Sequence, residues 1–163
     1  MARMTYRIEI AKRARVLELH SEAGLVKRHA IVLGRNPDAE KNIEGDGATP
    51  TGSFYVCAKN PRSKFFLSLC VSYPNAEDAE RGLRDGLIDL KEYAQIVEAV
   101  HLCKMPLQHT RLGGEIYIHG HPDPGTAYAT RPDWTQGCIA LDNAAMRDLY
   151  DRVELGTPVI IRP

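Results

Sequence analysis

Two side chains in this chain could do covalent chemistry together. Cys138 sits in the run Asp133-Trp134-Thr135-Gln136-Gly137-Cys138-Ile139-Ala140, and His119 ends the stretch Ile116-Tyr117-Ile118-His119. A thiol next to glycine can be approached closely by a carbonyl, because glycine removes a side chain from the path and allows backbone angles that other residues avoid. An imidazole brought to the same place can take the thiol proton and return it to a leaving amine. The spacing of 19 residues (138 minus 119) suits a strand–loop–strand excursion that returns one to the other. On composition alone an inert core thiol is the commoner fate of a cysteine.

A metal site is the rival chemistry. His119 and His121, two apart on an extended segment, would project to the same side, and Cys138 could join them as a zinc ligand. No fourth ligand stands at a recognisable spacing, so no metal or other cofactor is expected. His20, His29, His101 and His109 read as surface or core residues. The four cysteines, at 57, 70, 103 and 138, form no C-x-x-C pair. With Cys138 set aside three remain, an odd number that cannot pair completely into disulfides; Cys57 and Cys70, in apolar stretches, read as core thiols.

The elements that must position these residues are mostly strands. Tyr6, Ile8 and Ile10 alternate with Arg7 and Glu9, the two-residue period of a half-buried strand. Strands are expected over Arg15–His20, Val26–Leu33, Phe54–Ala58 and Phe65–Val71, with a loop over 34–52. The middle turns helical: 75–83 is short and charged, and Asp89 with Glu92 makes a capping-box start for a stripe of Leu90, Tyr93, Ala94, Val97 and Val100. Short strands are expected at Glu115–Ile118 and Gly137–Leu141, each carrying one of the two motifs. Residues 120–136, rich in Pro and Gly, suggest a constrained rim. Asn143 is placed as the cap of a last helix through Val153, and Thr157–Ile161 as a closing strand.

Bulk properties narrow the classes. A chain of 163 residues, 44% hydrophobic and 26% charged, fits one globular domain with its own core. Lys+Arg and Asp+Glu are 21 each, so there is no electrostatic footprint for nucleic acid. No apolar run approaches the roughly 18 residues of a membrane span. Met1 to Ile8 lacks the apolar core of a signal peptide.

The motifs, taken in order, resemble the catalytic signature of the L,D-transpeptidases, the YkuD-like family. Ile116-Tyr117-Ile118-His119-Gly120 followed by Thr135-Gln136-Gly137-Cys138-Ile139 is similar to that family's His-Gly strand end, loop and Ser/Thr-x-Gly-Cys segment. Thr49-Pro50-Thr51-Gly52 looks like its Thr-Pro-x-Gly hairpin, and Leu112-Gly113-Gly114-Glu115-Ile116 resembles the branch whose active-site segment reads Trp-Thr-x-Gly-Cys-Ile-Ala. The likeness runs from roughly residue 5 to 162. Two positions depart from it: many members have His where this chain has Gln136, and Arg where it has Ala140. That Arg is commonly linked to substrate anchoring; Arg111 and Arg131, flanking the two motifs, are the substitutes nearest in sequence.

The resemblance implies a single, mainly β domain with a few helices, β-sandwich-like. It implies a peptidoglycan-acting acyltransferase of cell wall biogenesis and cell shape, with stem peptides as partners. Cys138 would attack a tetrapeptide stem and His119 would move the proton. The carbonyl of Gly120 would orient the imidazole, and backbone N–H groups of the Gly137–Cys138 turn would hold the oxyanion. Trp134, Thr135, Gln136 and Arg131 would line the substrate. Water in place of an amine acceptor would make the same site an L,D-carboxypeptidase or an amidase. A non-catalytic wall-binding module would leave the Cys/His pair without purpose. The compartment implied is the cell envelope or periplasm; with no leader evident, an exported, trimmed or cytoplasmic chain all stay open.

Overall fold

Residues 4–122 and 132–163 are described by a computed structural model of the chain. Eight strands and three helices are seen among them. β1 (Tyr6–Ala11), β2 (Val16–Ser21) and β3 (Gly24–Ala30) form an antiparallel meander. β8 (Pro158–Arg162) lies parallel to β1 and antiparallel to β4 (Gly52–Ser63). β4 then pairs with β5 (Phe66–Val71), β5 with β6 (Tyr117–His119), and β6 in parallel with β7 (Ile139–Ala140). The sheet order is β3-β2-β1-β8-β4-β5-β6-β7.

The two-residue period decides which side chains face inward. Ile8 and Ile10 of β1, Leu17 and Leu19 of β2, and Val159 and Ile161 of β8 are all buried in one core with Leu67, Leu69, Ile118 and Ile139. Each such side chain contributes roughly 1.5–3 kcal/mol on burial. β3, at the edge, is mostly exposed and carries Lys27 and Arg28, charges that discourage edge-to-edge pairing. β4 has register shifts at 56/58 and 60/63, and these bend it enough to serve both halves of the sheet. The sheet curls back on itself. Val32, just past β3, exchanges both backbone hydrogen bonds with Ala140 of β7 at 3.1 and 3.0 Å, so the first and last strands of the order meet.

α3 (Asn143–Arg152) buries Ala145, Met146 and Leu149 in the main core. α1 (Ala76–Arg84) and α2 (Leu90–His101) build a smaller cluster of Ala79, Ile88, Ile96 and Leu112. Tyr73 joins the two clusters by donating its hydroxyl to the Leu112 carbonyl at 2.7 Å. The capping box of Asp89 and Glu92 is present as read from sequence.

Several boundaries differ from the sequence reading. Arg15 lies in a turn at φ 52 rather than in β2. β3 stops at Ala30, and Val32 forms only a bridge. β4 runs on to Ser63 through the polar Lys59, Asn60 and Arg62, carried by pairing with β5 rather than by hydrophobicity. The cap of α3 is Asp142, which accepts from Ala145 N–H at 2.8 Å; Asn143 begins the helix and points elsewhere.

Candidate active site

The register of β5, β6 and β7 sets the stage. Ser68 pairs with His119 and Cys70 with Tyr117, while His119 pairs with Ala140. By alternation these residues share one face of the sheet, and Leu67, Leu69, Ile118 and Ile139 turn into the core behind them. Cys138 enters β7 two residues before Ala140, beside Tyr117. The chain thus brings thiol and imidazole to adjacent strands of one small unit.

The loop that delivers Cys138 is fastened at many points. Asp133 takes a two-pronged ion pair from Arg15, Nε to Oδ1 at 3.0 Å and a second guanidinium nitrogen to Oδ2 at 2.7 Å, and also accepts Leu33 N–H at 3.0 Å. Thr135 N–H donates to Leu33 O at 3.1 Å, and Arg35 N–H to Thr135 O at 2.9 Å. The Thr135 hydroxyl donates to Cys138 O at 2.6 Å and accepts Gly137 N–H at 3.2 Å. Buried Thr49 donates to Gly137 O at 2.9 Å. Gly137 has φ 132, and a Cβ there would stand 2.7 Å from Ala48 O, so both conformation and space require glycine.

The thiol itself is held by backbone. Tyr117 N–H donates to Sγ at 3.4 Å, and S–H donates to the Glu115 carbonyl at 3.3 Å. Glu115 has φ 54, an uncommon angle for a residue with a side chain, and its own N–H is tied to Gln108 Oε1 at 2.8 Å. Burial pushes the Cys138 thiol up to about 11, against the Tyr117 N–H; the Glu115 carboxylate adds to the rise and Lys41 opposes it.

His119 is buried, and its ring stacks on Phe65 at 4.6 Å with Trp134 edge-on at 5.8 Å. Its Nδ1 lies 2.7 Å from the Gly120 carbonyl. A carbonyl only accepts, so Nδ1 carries the hydrogen and Nε2 is the basic atom. Burial lowers the imidazole to about 4, and the Gly120 bond offsets this only in part. At neutral pH both groups rest uncharged, one a thiol and the other a neutral base.

The remaining site residues fall out differently. Trp134 is half-buried against the imidazole, and Gln136 is exposed. Thr135 is buried, with its hydroxyl engaged inside the loop. Gly137 N–H, expected as an oxyanion donor, is engaged by that same hydroxyl, which leaves Cys138 N–H as the candidate from this turn. Arg131, and much of the expected rim, lies outside the described residues. Arg111 is exposed. Phe65, Thr49 and Asn143 were placed in elements by the sequence but not read as site residues. Asn143 accepts His121 N–H at 2.7 Å and donates to His121 O at 3.2 Å.

The metal alternative has no geometry behind it. Among the described residues the ligand atoms that converge are those of Glu9, Glu18 and His20, not those of His119, His121 and Cys138. Glu9 and Glu18 are paired with Arg7 and Arg28, and a concavity of about 330 Å³ beside them is lined by residues of the β1–β2 end of the sheet. The four cysteines are all free thiols; Cys70 is buried and Cys103 exposed.

A family model, the YkuD L,D-transpeptidase catalytic domain, matches residues 5–161. The chain belongs to this family. The helical cell shape determining protein Pgp2 from Campylobacter jejuni is similar in fold, with a TM-score of 0.68 at 23% identity over 98% of this chain and 48% of that one. An L,D-transpeptidase from Mycobacterium smegmatis gives 0.57 at 14% identity, covering 98% and 59%. The LD transpeptidase LdtMt1, solved in complex with imipenem, gives 0.55 at 13% identity, covering 98% and 59%. The chain thus spans about half the length of these neighbours. No curated protein sequence matches it. No helix among the described residues is long and apolar enough to cross a membrane.

Proposed function

We propose that this L,D-transpeptidase-family domain catalyses acyl transfer on peptidoglycan tetrapeptide stems through a thioester on Cys138. The observation that carries the reading is the fixed tautomer of His119. With Nδ1–H held by Gly120 O, the basic Nε2 belongs to a ring buried in the same strand pair that seats the thiol. As Sγ bonds to the carbonyl carbon between the third residue and the terminal D-Ala, His119 Nε2 takes the thiol proton. Cys138 N–H stabilises the developing oxyanion; one such donor is worth about 100-fold or more. The C–N bond then breaks, and the amine of D-Ala leaves with the proton from His119. An acceptor amine repeats the sequence in reverse, giving up its proton to His119 as the thioester opens.

The neutral resting pair fits general-base attack rather than a preformed thiolate. The low affinity of the imidazole for protons keeps it a free base at pH 7. The S–H bond to Glu115 O is a resting arrangement that attack must break; such contacts tighten or exchange once substrate is bound. Peptidoglycan stem peptides as substrate, and an envelope or periplasmic place of action, follow from the family's chemistry. The similarity in fold to Pgp2, a helical cell shape determining protein, supports a wall-remodelling assignment of the same kind.

Incubation with a defined disaccharide tetrapeptide and a D-amino acid acceptor, read by mass spectrometry, tests this. Exchange of the terminal D-Ala or cross-linking is expected, lost in Cys138→Ala and reduced about 100-fold or more in His119→Ala. Tripeptide as sole product would make the enzyme an L,D-carboxypeptidase with the same nucleophile. Full turnover by Cys138→Ala would refute the mechanism.

A further inference from the structure

We propose that Asn143 is a positioning residue for His119, acting through the peptide group between Gly120 and His121. The inference rests on the reading of His119 as the general base. The Gly120 carbonyl and the His121 N–H are the two polar ends of one planar unit, so fixing one end fixes the other. The carbonyl end accepts His119 Nδ1–H at 2.7 Å, and the N–H end donates to Asn143 Oδ1 at 2.7 Å. Asn143 Nδ2 returns to the His121 carbonyl at 3.2 Å, so the amide grips the backbone at two points. That double contact also settles which amide atom is which, because an N–H needs an acceptor and a carbonyl needs a donor.

The arrangement is built from both sides. A Cβ on Gly120 would stand 2.3 Å from Asn143 Oδ1, so glycine is required for the amide to reach the peptide. On the other side Asn143 opens α3, whose preceding residue Asp142 caps the helix and whose Ala145, Met146 and Leu149 lie in the main core. A rigid helix thereby sets the plane of the peptide, and the peptide sets the tilt of the imidazole. The three groups form a chain, Asn143 to peptide to imidazole, in which each bond polarises the next. A helix start needs none of this: the cap is Asp142.

The test compares wild type with Asn143→Ala and Asn143→Asp in the purified chain. The first removes both contacts, and the second keeps an acceptor for His121 N–H in a helix turn where an acidic residue is well tolerated. Asn143→Ala should lower kcat by about 10- to 100-fold, the range for loss of orientation at a reacting group, with KM within about twofold. Nitrogen NMR of the His119 ring should show the Nδ1–H tautomer replaced by a mixture. Asn143→Asp should recover most of kcat and the single tautomer. Wild-type kcat with an unchanged ring spectrum in Asn143→Ala would overturn the proposal, as would a folded Asn143→Asp that loses as much as alanine. If alanine fails to fold, the aspartate comparison decides alone. The ring spectrum also separates this inference from the function: should the wild type turn over no stem peptide, an altered tautomer in Asn143→Ala still supports the positioning role, and an unaltered one sinks it.

Discussion

Acid should unfold this domain partly through one imidazole. His119 has only 2% of its surface exposed, and its protonation is lowered from the ordinary 6.5 to about 4, chiefly by burial. In the unfolded chain the same ring takes its proton near 6.5. Between those values the unfolded state binds more protons, so stability must fall as pH falls. The contribution is fully present above 6.5 and is lost progressively on the way down, the loss being complete below about 4. The fall from 6.5 to about 4 corresponds to about 3 kcal/mol, a large share of a small domain's stability. The perturbation is His119→Gln, which keeps a polar side chain but cannot titrate. Denaturant unfolding of both proteins at pH 7 and pH 4 gives four free energies. The wild type should lose about 3 kcal/mol more than the variant between the two pH values. Whatever glutamine costs in packing cancels, because it enters at both. His121 is also lowered by burial, and it remains in both proteins. A difference under about 1 kcal/mol would show that the ring accepts its proton without penalty in the folded state, and the account of His119 as a buried neutral base would fall.

Three further outcomes follow from the same geometry. The reaction of Cys138 with iodoacetamide should rise with pH towards a midpoint near 11, so labelling at pH 7 should be slower than for a free cysteine peptide; a midpoint at or below about 8.5 would contradict the raised thiol, and one below about 7 would mean a preformed thiolate. Gly137→Ala should destabilise the domain by more than 1 kcal/mol and cut turnover, because it combines φ 132 with a 2.7 Å approach to Ala48 O; unchanged unfolding midpoints would contradict that packing. A carbapenem, whose strained ring offers a carbonyl that needs little further distortion, should add once to the intact chain, on the peptide from Trp134 to Leu141. The adduct should be absent in Cys138→Ala and slowed in His119→Ala, and labelling of another cysteine instead would misplace the nucleophile.

What was legible in the sequence was what repeats or what caps. The two-residue alternation of Ile8 and Ile10 announced β1, and the pair Asp89 and Glu92 announced the start of α2, because each is a local rule with a local cause. The ordered motifs announced the family that residues 5–161 match. What depends on distant partners was not legible. β4 runs five residues past its apolar stretch because β5 pairs with it across a hairpin, and no property of Lys59 or Arg62 alone foretells that. Asn143 looked like a helix cap because Asn is a good one, but Asp142 took that place and freed the amide to reach His121. Phe65 carries no motif; only the register of β5 beside β6 brings its ring onto His119.

The site then divides its labour between backbone and side chain in an uncommon way. Thiol, imidazole and loop are held mainly by peptide groups: Tyr117 N–H and Glu115 O on Sγ, Gly120 O on Nδ1, Gly137 O on Thr49. Among the described residues the group behind the imidazole is the Gly120 carbonyl, which carries no charge to stabilise an imidazolium. That choice has a consequence for chemistry. A carboxylate partner would raise the ring's proton affinity, whereas a carbonyl fixes the tautomer and leaves burial to lower it to about 4. The ring therefore hands on a proton readily once it has taken one, which favours departure of the leaving amine over formation of a thiolate at rest. An imidazole so weak takes the thiol proton only as Sγ bonds to the carbonyl carbon, not in advance of it. Glu115, whose φ of 54 is uncommon for a residue with a side chain, keeps the S–H bonded to its carbonyl at 3.3 Å at rest, so the proton passes to His119 only when substrate displaces that contact.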